Sequence, residues 1–187
     1  IKQLPAGCLL VLSGSLPPNM NTTAINELLQ CAKDHGLRTV VDSSGDALKT
    51  AVNFGGLELI KPNQSELAEL TGQTLEQPDQ VVNAARQLIA QGAAKRIVVS
   101  LGPQGALGVD AEQCVQVVPP PVIKRSTVGA GDSMVGAMVM KLAAGADLTE
   151  MVRFGVAAGT AATMNQGTKL CNKEDTERLY QYLNQPQ

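Results

Sequence analysis

Short apolar runs alternate with longer amphipathic stretches along the first hundred residues. The runs predict buried strands at 8–15, 37–45, 57–63 and 95–102, and apolar residues at helical spacing predict helices at 21–36, 46–53, 64–72 and 79–92. Strands that alternate with helices form parallel sheets covered by helices on both faces. The pattern therefore predicts an α/β fold with a mainly parallel sheet.

The pattern changes after residue 102. Two short apolar runs, 105–110 and 114–121, predict an antiparallel hairpin that turns at Ala111 and Glu112. The remaining sequence predicts three helices, at 129–144, 149–165 and 173–183. Because no repeat, linker or low-complexity tract interrupts the chain, we expect one domain over residues 1–187.

Composition narrows the classes of function. A net charge of −2 disfavours nucleic-acid and anionic membrane partners, and no apolar run reaches the length of a membrane span. Four scattered cysteines predict buried free thiols in a reducing compartment, which indicates a cytoplasmic protein. A single histidine, His35, disfavours Ser-His-Asp catalysis and zinc sites built from several histidines.

Polar residues cluster where the predicted strands end. In open parallel sheets, ligands bind beyond the carboxyl ends of the strands. We therefore expect a binding site near these clusters, which are Ser13-Gly14-Ser15, Asp42-Ser43, Lys61-Pro62-Asn63 and Ser100-Leu101-Gly102.

The segment Gly129-Ala130-Gly131-Asp132 opens a predicted helix. Unpaired N–H groups at a helix start attract anions, and small residues let a phosphate approach them. Asp132 could then accept the proton of a hydroxyl that attacks phosphorus. An ordinary aspartate at a helix start is an equally good interpretation of this motif. Met134 occupies the last glycine position of a dinucleotide fingerprint, and the chain has no Walker A loop.

Three further segments have two interpretations each. Asn63 and Glu66 could organise a hydrated Mg²⁺, but Asn-x-x-Glu is also a capping box, which we favour on the motif alone. The glycine loop within 98–109 could follow a nucleotide or form a plain Gly-Pro turn. The small residues of 153–168 could face a planar base, although close helix packing is the preferred interpretation.

The motifs LSGSLPP, KPNQSEL and STVGAGDSMVGA, in that order, resemble the PfkB, or ribokinase-like, family of carbohydrate kinases, and its 6-phosphofructokinases in particular. The resemblance implies a three-layer αβα fold and ATP-dependent phosphorylation of fructose 6-phosphate on O1, giving fructose 1,6-bisphosphate. Tagatose 6-phosphate or fructose 1-phosphate is an alternative substrate. A nucleotide-binding fragment without turnover is an alternative of another class.

The resemblance also implies roles for individual residues. Asp132 would be the general base, and the N–H groups of Gly129, Ala130 and Gly131 would form the anion hole. Ser15 would contact the sugar phosphate, while Asn63 and Glu66 would organise Mg²⁺ through water. The residues expected to contact ATP are Lys61, Asn63, Ser100, Gly102, Gly105, Val156 and Thr160. The residues expected to bind K⁺, mainly through backbone carbonyls, are Ser126, Val128, Ala162, Asn165 and Gly167.

The resemblance runs along the whole chain but covers only the later part of the family domain. Because the chain opens at Ile1 and lacks the family's early sugar-binding residues and lid strands, we expect that an N-terminal portion is missing. Family members commonly form homodimers, which the resemblance implies here. Two residues depart from the family's pattern: Asn19 replaces a glycine, and Lys124 stands where a serine near the nucleotide is expected.

Overall fold

The computed structural model describes residues 1, 3–17 and 21–185. The chain forms two compact parts, here called the sheet part (Ile1–Ser100 with Val109–Cys114) and the helical part (Leu101–Gly108 with Val115–Gln187). Asn19 lies outside the described residues. In the described ranges, no helix is both long and apolar enough to cross a membrane.

The sheet part contains four parallel strands in the order β1-β2-β3-β4. Its register places Leu9 beside Arg38 and Leu57 beside Ala94. The elements are β1 (Leu9–Ser13), α1 (Thr23–Asp34), β2 (Arg38–Asp42), α2 (Gly45–Phe54), β3 (Leu57–Ile60), α3 (Gln64–Thr71), α4 (Pro78–Ala90) and β4 (Ala94–Ser100).

The core of the sheet part is built from strands without a polar face. All four residues of β3 are buried, and Val40, Leu59, Ile60 and Ile97 have no accessible surface. Strands that are covered on both faces have such continuous apolar runs instead of alternation. This arrangement leaves the carboxyl ends of the strands as the place where polar side chains collect.

The chain continues with a single 3₁₀ turn, Gly102–Gln104, followed by β5 (Ala106–Val109), β6 (Cys114–Val117), α5 (Ala130–Ala143), α6 (Leu148–Thr163) and α7 (Lys173–Leu183). These elements belong to the helical part, except for the end of the hairpin, Val109–Cys114. The small residues of α6 pack against α5. A β-carbon added at Gly155 would lie 2.6 Å from Met138 Cγ, and one at Gly159 would lie 3.1 Å from the Ala130 carbonyl oxygen. The glycines of α6 thus allow close helix packing, as preferred from the sequence.

The predicted elements agree with the structure in type and order, with ends that differ by a few residues. The hairpin turn falls where predicted, because Asp110 Oδ1 accepts the N–H groups of Glu112 and Gln113. All four cysteines are free, but the expectation that they are buried is wrong: Cys114 is exposed and the others are half-buried. Cys114 opens β6, whose residues alternate between exposed and covered positions. The single domain over 1–187 stays a prediction.

Candidate active site

The loops that follow β1 and β2 are joined by hydrogen bonds. The Gly14 N–H donates to the Asp42 carbonyl at 2.9 Å, and Ser43 Oγ donates to the Gly14 carbonyl at 2.7 Å. Ser15 is exposed and lines a cavity of about 240 Å³ beside these loops. The predicted sugar-phosphate contact therefore lies on an accessible surface at the carboxyl ends of the strands.

Lys61 lies at the end of β3, and its ammonium forms an ion pair with Asp42. Lys61 Nζ is 3.0 Å from Asp42 Oδ1, and Ser13 Oγ donates to the other carboxylate oxygen at 3.5 Å. Both charged side chains are largely buried. The sequence analysis placed Asp42 in a polar cluster near the expected site but assigned it no role, and its pairing with Lys61 is found only in the structure.

Asn63 and Glu66 form a reciprocal capping box at the start of α3. Asn63 Oδ1 accepts the Glu66 N–H at 2.9 Å, and Glu66 Oε2 accepts the Asn63 N–H at 2.8 Å. The capping interpretation is thus confirmed. Glu66 Oε1 has no hydrogen-bond partner in the part of the chain that the structure describes, so it can face a hydrated Mg²⁺.

Ser100 lies beside this capping box, because its N–H donates to the Pro62 carbonyl at 2.9 Å and it forms a bridge with Asn63. Within residues 1, 3–17 and 21–185, no group of three or more His, Cys, Asp or Glu residues could hold a metal directly. The binding of Mg²⁺ through water near Asn63 and Glu66 stays a prediction.

The glycine loop of the helical part is closed by its own backbone. The Leu101 N–H donates to the Gly105 carbonyl at 2.8 Å, and Gly102 and Gly105 have φ angles of +58° and +84°. A β-carbon added at Gly105 would lie 1.9 Å from the Val117 carbonyl oxygen, so only glycine fits there. These contacts form a tight turn, and its contact with ATP stays a prediction.

The segment 129–133, here called the catalytic turn, begins α5. Gly129 is the N-cap residue and adopts a left-handed conformation with φ +77°. Asp132 is exposed in the first helical turn, and its carboxylate has no hydrogen-bond partner among the described residues. Nor do the Gly131 and Asp132 N–H groups have a protein acceptor there, as is usual for the first turn of a helix. The turn therefore presents a free carboxylate beside free donors.

The residues predicted to bind K⁺ come together at the end of α6. The N–H groups of Arg125 and Ser126 both donate to the Thr163 carbonyl, at 2.8 and 3.2 Å, so the segment that leads to Val128 lies against the last turn of α6. Ala162, Asn165 and Gly167 belong to that turn and the residues after it. The carbonyl end of a helix carries partial negative charge. The Ala162 carbonyl accepts the Asn165 N–H at 3.1 Å, and the binding of K⁺ by these residues stays a prediction.

Val156 and Thr160 lie one turn apart on α6, and both are buried. Their predicted contact with ATP remains untested. Lys124 is exposed in the extended segment before the catalytic turn. Each part of the chain thus brings some predicted site residues together. In the sheet part these are Ser15, Lys61, Asn63, Glu66 and Ser100. In the helical part, Ser126 lies against the end of α6, and Gly129, Ala130, Gly131 and Asp132 lie together at the start of α5.

Comparisons with known proteins identify the family of the chain. The model of the family described as pfkB family carbohydrate kinase matches residues 2–175. The chain is 58% identical over 183 residues to the ATP-dependent 6-phosphofructokinase isozyme 2 of Escherichia coli strain K12. The aligned residues are 98% of this chain and 59% of that protein. The chain therefore spans about three-fifths of the length of this relative.

Two crystal structures of phosphofructokinase-2 from Escherichia coli have the same fold. The complex with substrates and products matches with a TM-score of 0.94 and 57% identity over 98% of this chain and 59% of that chain. The complex with potassium matches with a TM-score of 0.93 and 58% identity over 97% of this chain and 59% of that chain. The fold of these structures confirms the predicted α/β class.

Proposed function

Because the chain belongs to the pfkB family of carbohydrate kinases, we propose that it carries the nucleotide-binding and catalytic part of an ATP-dependent kinase for fructose 6-phosphate. The observation that carries this proposal is the exposed Asp132 carboxylate, which has no protein partner among the described residues and lies in the first turn of α5. A general base must be accessible to the hydroxyl whose proton it accepts. The identity to a 6-phosphofructokinase supports this choice of sugar.

The proposed reaction transfers the γ-phosphoryl group of ATP to O1 of the sugar. The hydroxyl oxygen bonds to phosphorus while its proton passes to the Asp132 carboxylate, and the bond from phosphorus to the β–γ bridging oxygen breaks to release ADP. The N–H groups of Gly129, Ala130 and Gly131 stabilise the charge on the transferred group. Phosphoryl transfer is catalysed mainly by such positioning and charge stabilisation.

The sheet part supplies the other proposed contacts. Lys61, Asn63 and Ser100 face the nucleotide, and Ser15 faces the sugar phosphate. Glu66 would hold Mg²⁺ through water, and the bound ion would neutralise phosphate charge. In the helical part, Gly102, Gly105, Val156 and Thr160 would contact ATP. Ser126, Val128, Ala162, Asn165 and Gly167 would hold K⁺ through oxygen atoms.

We further propose that the protein acts in glycolysis, is located in the cytoplasm and forms a homodimer. Identity to an ATP-dependent 6-phosphofructokinase supports the role in glycolysis, whereas the cytoplasmic location and the homodimer rest on the family resemblance. The proposed partners are ATP and a small sugar phosphate, and the proposal involves neither nucleic acid nor a membrane surface.

A coupled assay of ADP release with ATP, Mg²⁺, K⁺ and fructose 6-phosphate tests the proposal. We expect Asp132→Asn to lower kcat by about two to four orders of magnitude, which is the usual effect of removing a general base. Asp79→Asn is a matched control, because Asp79 is also an exposed acid in the first turn of a helix, α4. Near-normal turnover of Asp132→Asn would exclude this aspartate as the base.

Substrate identity is tested in the same assay with tagatose 6-phosphate and fructose 1-phosphate. We expect the highest kcat/KM with fructose 6-phosphate. A higher kcat/KM with tagatose 6-phosphate or fructose 1-phosphate would show that this sugar, and not fructose 6-phosphate, is the preferred substrate. Binding of ATP in calorimetry without sugar-dependent ADP release would instead favour a nucleotide-binding fragment without turnover.

A further inference from the structure

Leu170 lies directly over the catalytic turn. A β-carbon added at Gly129 would lie 2.8 Å from Leu170 Cδ2, so the leucine side chain contacts the bare backbone at the N-cap of α5. Leu170 is nevertheless 56% exposed, so its side chain contacts the turn from the solvent side. Its position indicates that it covers the turn from outside.

The residue after Leu170 is attached to the same turn by a hydrogen bond. The Cys171 N–H donates to Ser133 Oγ at 3.1 Å. Ser133 follows Asp132 directly, and its side chain is buried. Residues 168–171, here called the clasp, thus contact the catalytic turn at both its first and its last residue.

Residues before and after the clasp hold its second half in place. Asn165 Nδ2 donates to the Leu170 carbonyl at 2.9 Å, which connects the clasp to the segment after α6. Asn172 follows the clasp and caps α7, since its side-chain oxygen accepts the Asp175 N–H at 2.8 Å. Leu170 and Cys171 are therefore fixed beside the turn that they contact and can restrain it.

We propose that Leu170 and Ser133 are positioning residues, which hold the N–H groups and the carboxylate of the catalytic turn in the geometry needed for phosphoryl transfer. This inference rests on the proposed function. Glycine has little intrinsic preference for one backbone conformation, so Gly129 needs an external restraint to keep its left-handed conformation. Donors that stabilise a transition state are effective because they are preorganised. The clasp supplies that restraint without touching the reacting groups.

The first test is Leu170→Ala. We expect kcat to fall by about tenfold or more, since small displacements of catalytic groups are costly, while the KM for ATP changes less than twofold. The free energy of unfolding should change little, because the Leu170 side chain is already largely exposed. Leu4→Ala is the matched control, since Leu4 is 45% exposed and lies in the sheet part. It should leave both constants unchanged.

The second test is Ser133→Ala, with Thr71→Ala as control. Each variant removes a hydroxyl that forms a hydrogen bond with the backbone: Ser133 Oγ accepts the Cys171 N–H, and Thr71 Oγ1 donates to the Leu67 carbonyl at 2.9 Å in the sheet part. We expect similar losses of thermal stability from both variants. Only Ser133→Ala should lower kcat. The inference would be overturned if Ser133→Ala and its control lowered kcat equally. It would also be overturned if neither Leu170→Ala nor Ser133→Ala lowered kcat.

Hydrogen exchange separates this inference from the proposed function. Without substrate, Leu170→Ala and Ser133→Ala should speed exchange of the amides at 129–133, whereas Leu4→Ala and Thr71→Ala should not. Unchanged exchange in both clasp variants would overturn the restraint even if Asp132 proves essential. If both clasp variants exchange faster at 129–133 but Asp132→Asn has normal turnover, the clasp restrains the turn and Asp132 is not the general base.

Discussion

The Lys61 ammonium lies 3.0 Å from Asp42 Oδ1, with only 10% of the lysine side chain and 15% of the aspartate side chain exposed. A second lysine–acid pair in the sheet part, Lys49 and Glu69, is 4.0 Å apart, with 47% and 62% of the side chains exposed. The two pairs differ mainly in access to water. Because water screens exposed charges, only the first pair should matter greatly for stability.

We predict that Asp42→Asn lowers the free energy of unfolding by about 3 kcal/mol, since it leaves a buried ammonium without its counter-charge. Glu69→Gln should change this free energy by less than about 0.5 kcal/mol. Urea denaturation at neutral pH measures both values. Equal effects of the two substitutions would show that water screens the Lys61–Asp42 pair as effectively as it screens the exposed pair.

Glu58 is buried in β3 and is surrounded by cations. Its carboxylate oxygens lie 3.2 Å from Arg38 Nη2 and 3.0 Å from Lys95 Nζ, and Arg96 also bonds this carboxylate. Burial alone would raise the pKa of the Glu58 carboxyl. The hydrogen bonds and charges of Arg38 and Lys95 outweigh burial and lower this pKa from 4.5 to about 2.

A lowered pKa in the folded state makes stability depend on pH. The ionised Glu58 contributes stability at pH values above 4.5, and this contribution is lost as pH falls from 4.5 towards 2. We predict that Glu58→Gln is less stable than the natural protein by about 1–3 kcal/mol at pH 7. The difference should narrow at pH 3. Denaturation curves at both pH values test this, and a difference that stays constant would assign the effect to packing.

Much of the fold could be predicted from local patterns. The run LELI contains one polar residue, Glu58, and all four of its residues are buried in β3. Its apolar content was therefore sufficient to predict the strand. Gly72 and Gly145 lie just after α3 and α5 with left-handed backbones, which matches helix ends that glycine favours. Such signals involve neighbours in sequence, and this explains why element types were correct.

The long-range parts of the site could not be predicted in the same way. Cys171 and Ser133 are 38 residues apart, and nothing in either local pattern indicates that one bonds the other. The Asp42 carboxylate was visible as an acid after a strand, but its pairing with Lys61 depends on the alignment of β2 and β3. Contacts of this kind require the three-dimensional arrangement of the strands and helices.

Glu66 has two separable contributions, one to the cap of α3 and one to charge at the site. Glutamine can take the place of Glu66 in such a cap, and α4 provides an example, where Gln80 Oε1 accepts the Gln77 N–H at 2.9 Å. We therefore predict that Glu66→Gln changes the free energy of unfolding by less than about 0.5 kcal/mol, whereas Glu66→Ala, which loses the box, lowers it by about 1 kcal/mol.

Glu66→Gln and Glu66→Ala should have the same effect on the Mg²⁺ requirement of the reaction. Both remove the carboxylate that we propose to hold hydrated Mg²⁺, so both should raise the Mg²⁺ concentration required for half-maximal ADP release. Titration of Mg²⁺ at fixed ATP and fructose 6-phosphate, combined with urea denaturation, measures the two contributions separately. A Mg²⁺ requirement that rises in Glu66→Ala but not in Glu66→Gln would show that Glu66 acts through the geometry of the cap and not through its charge.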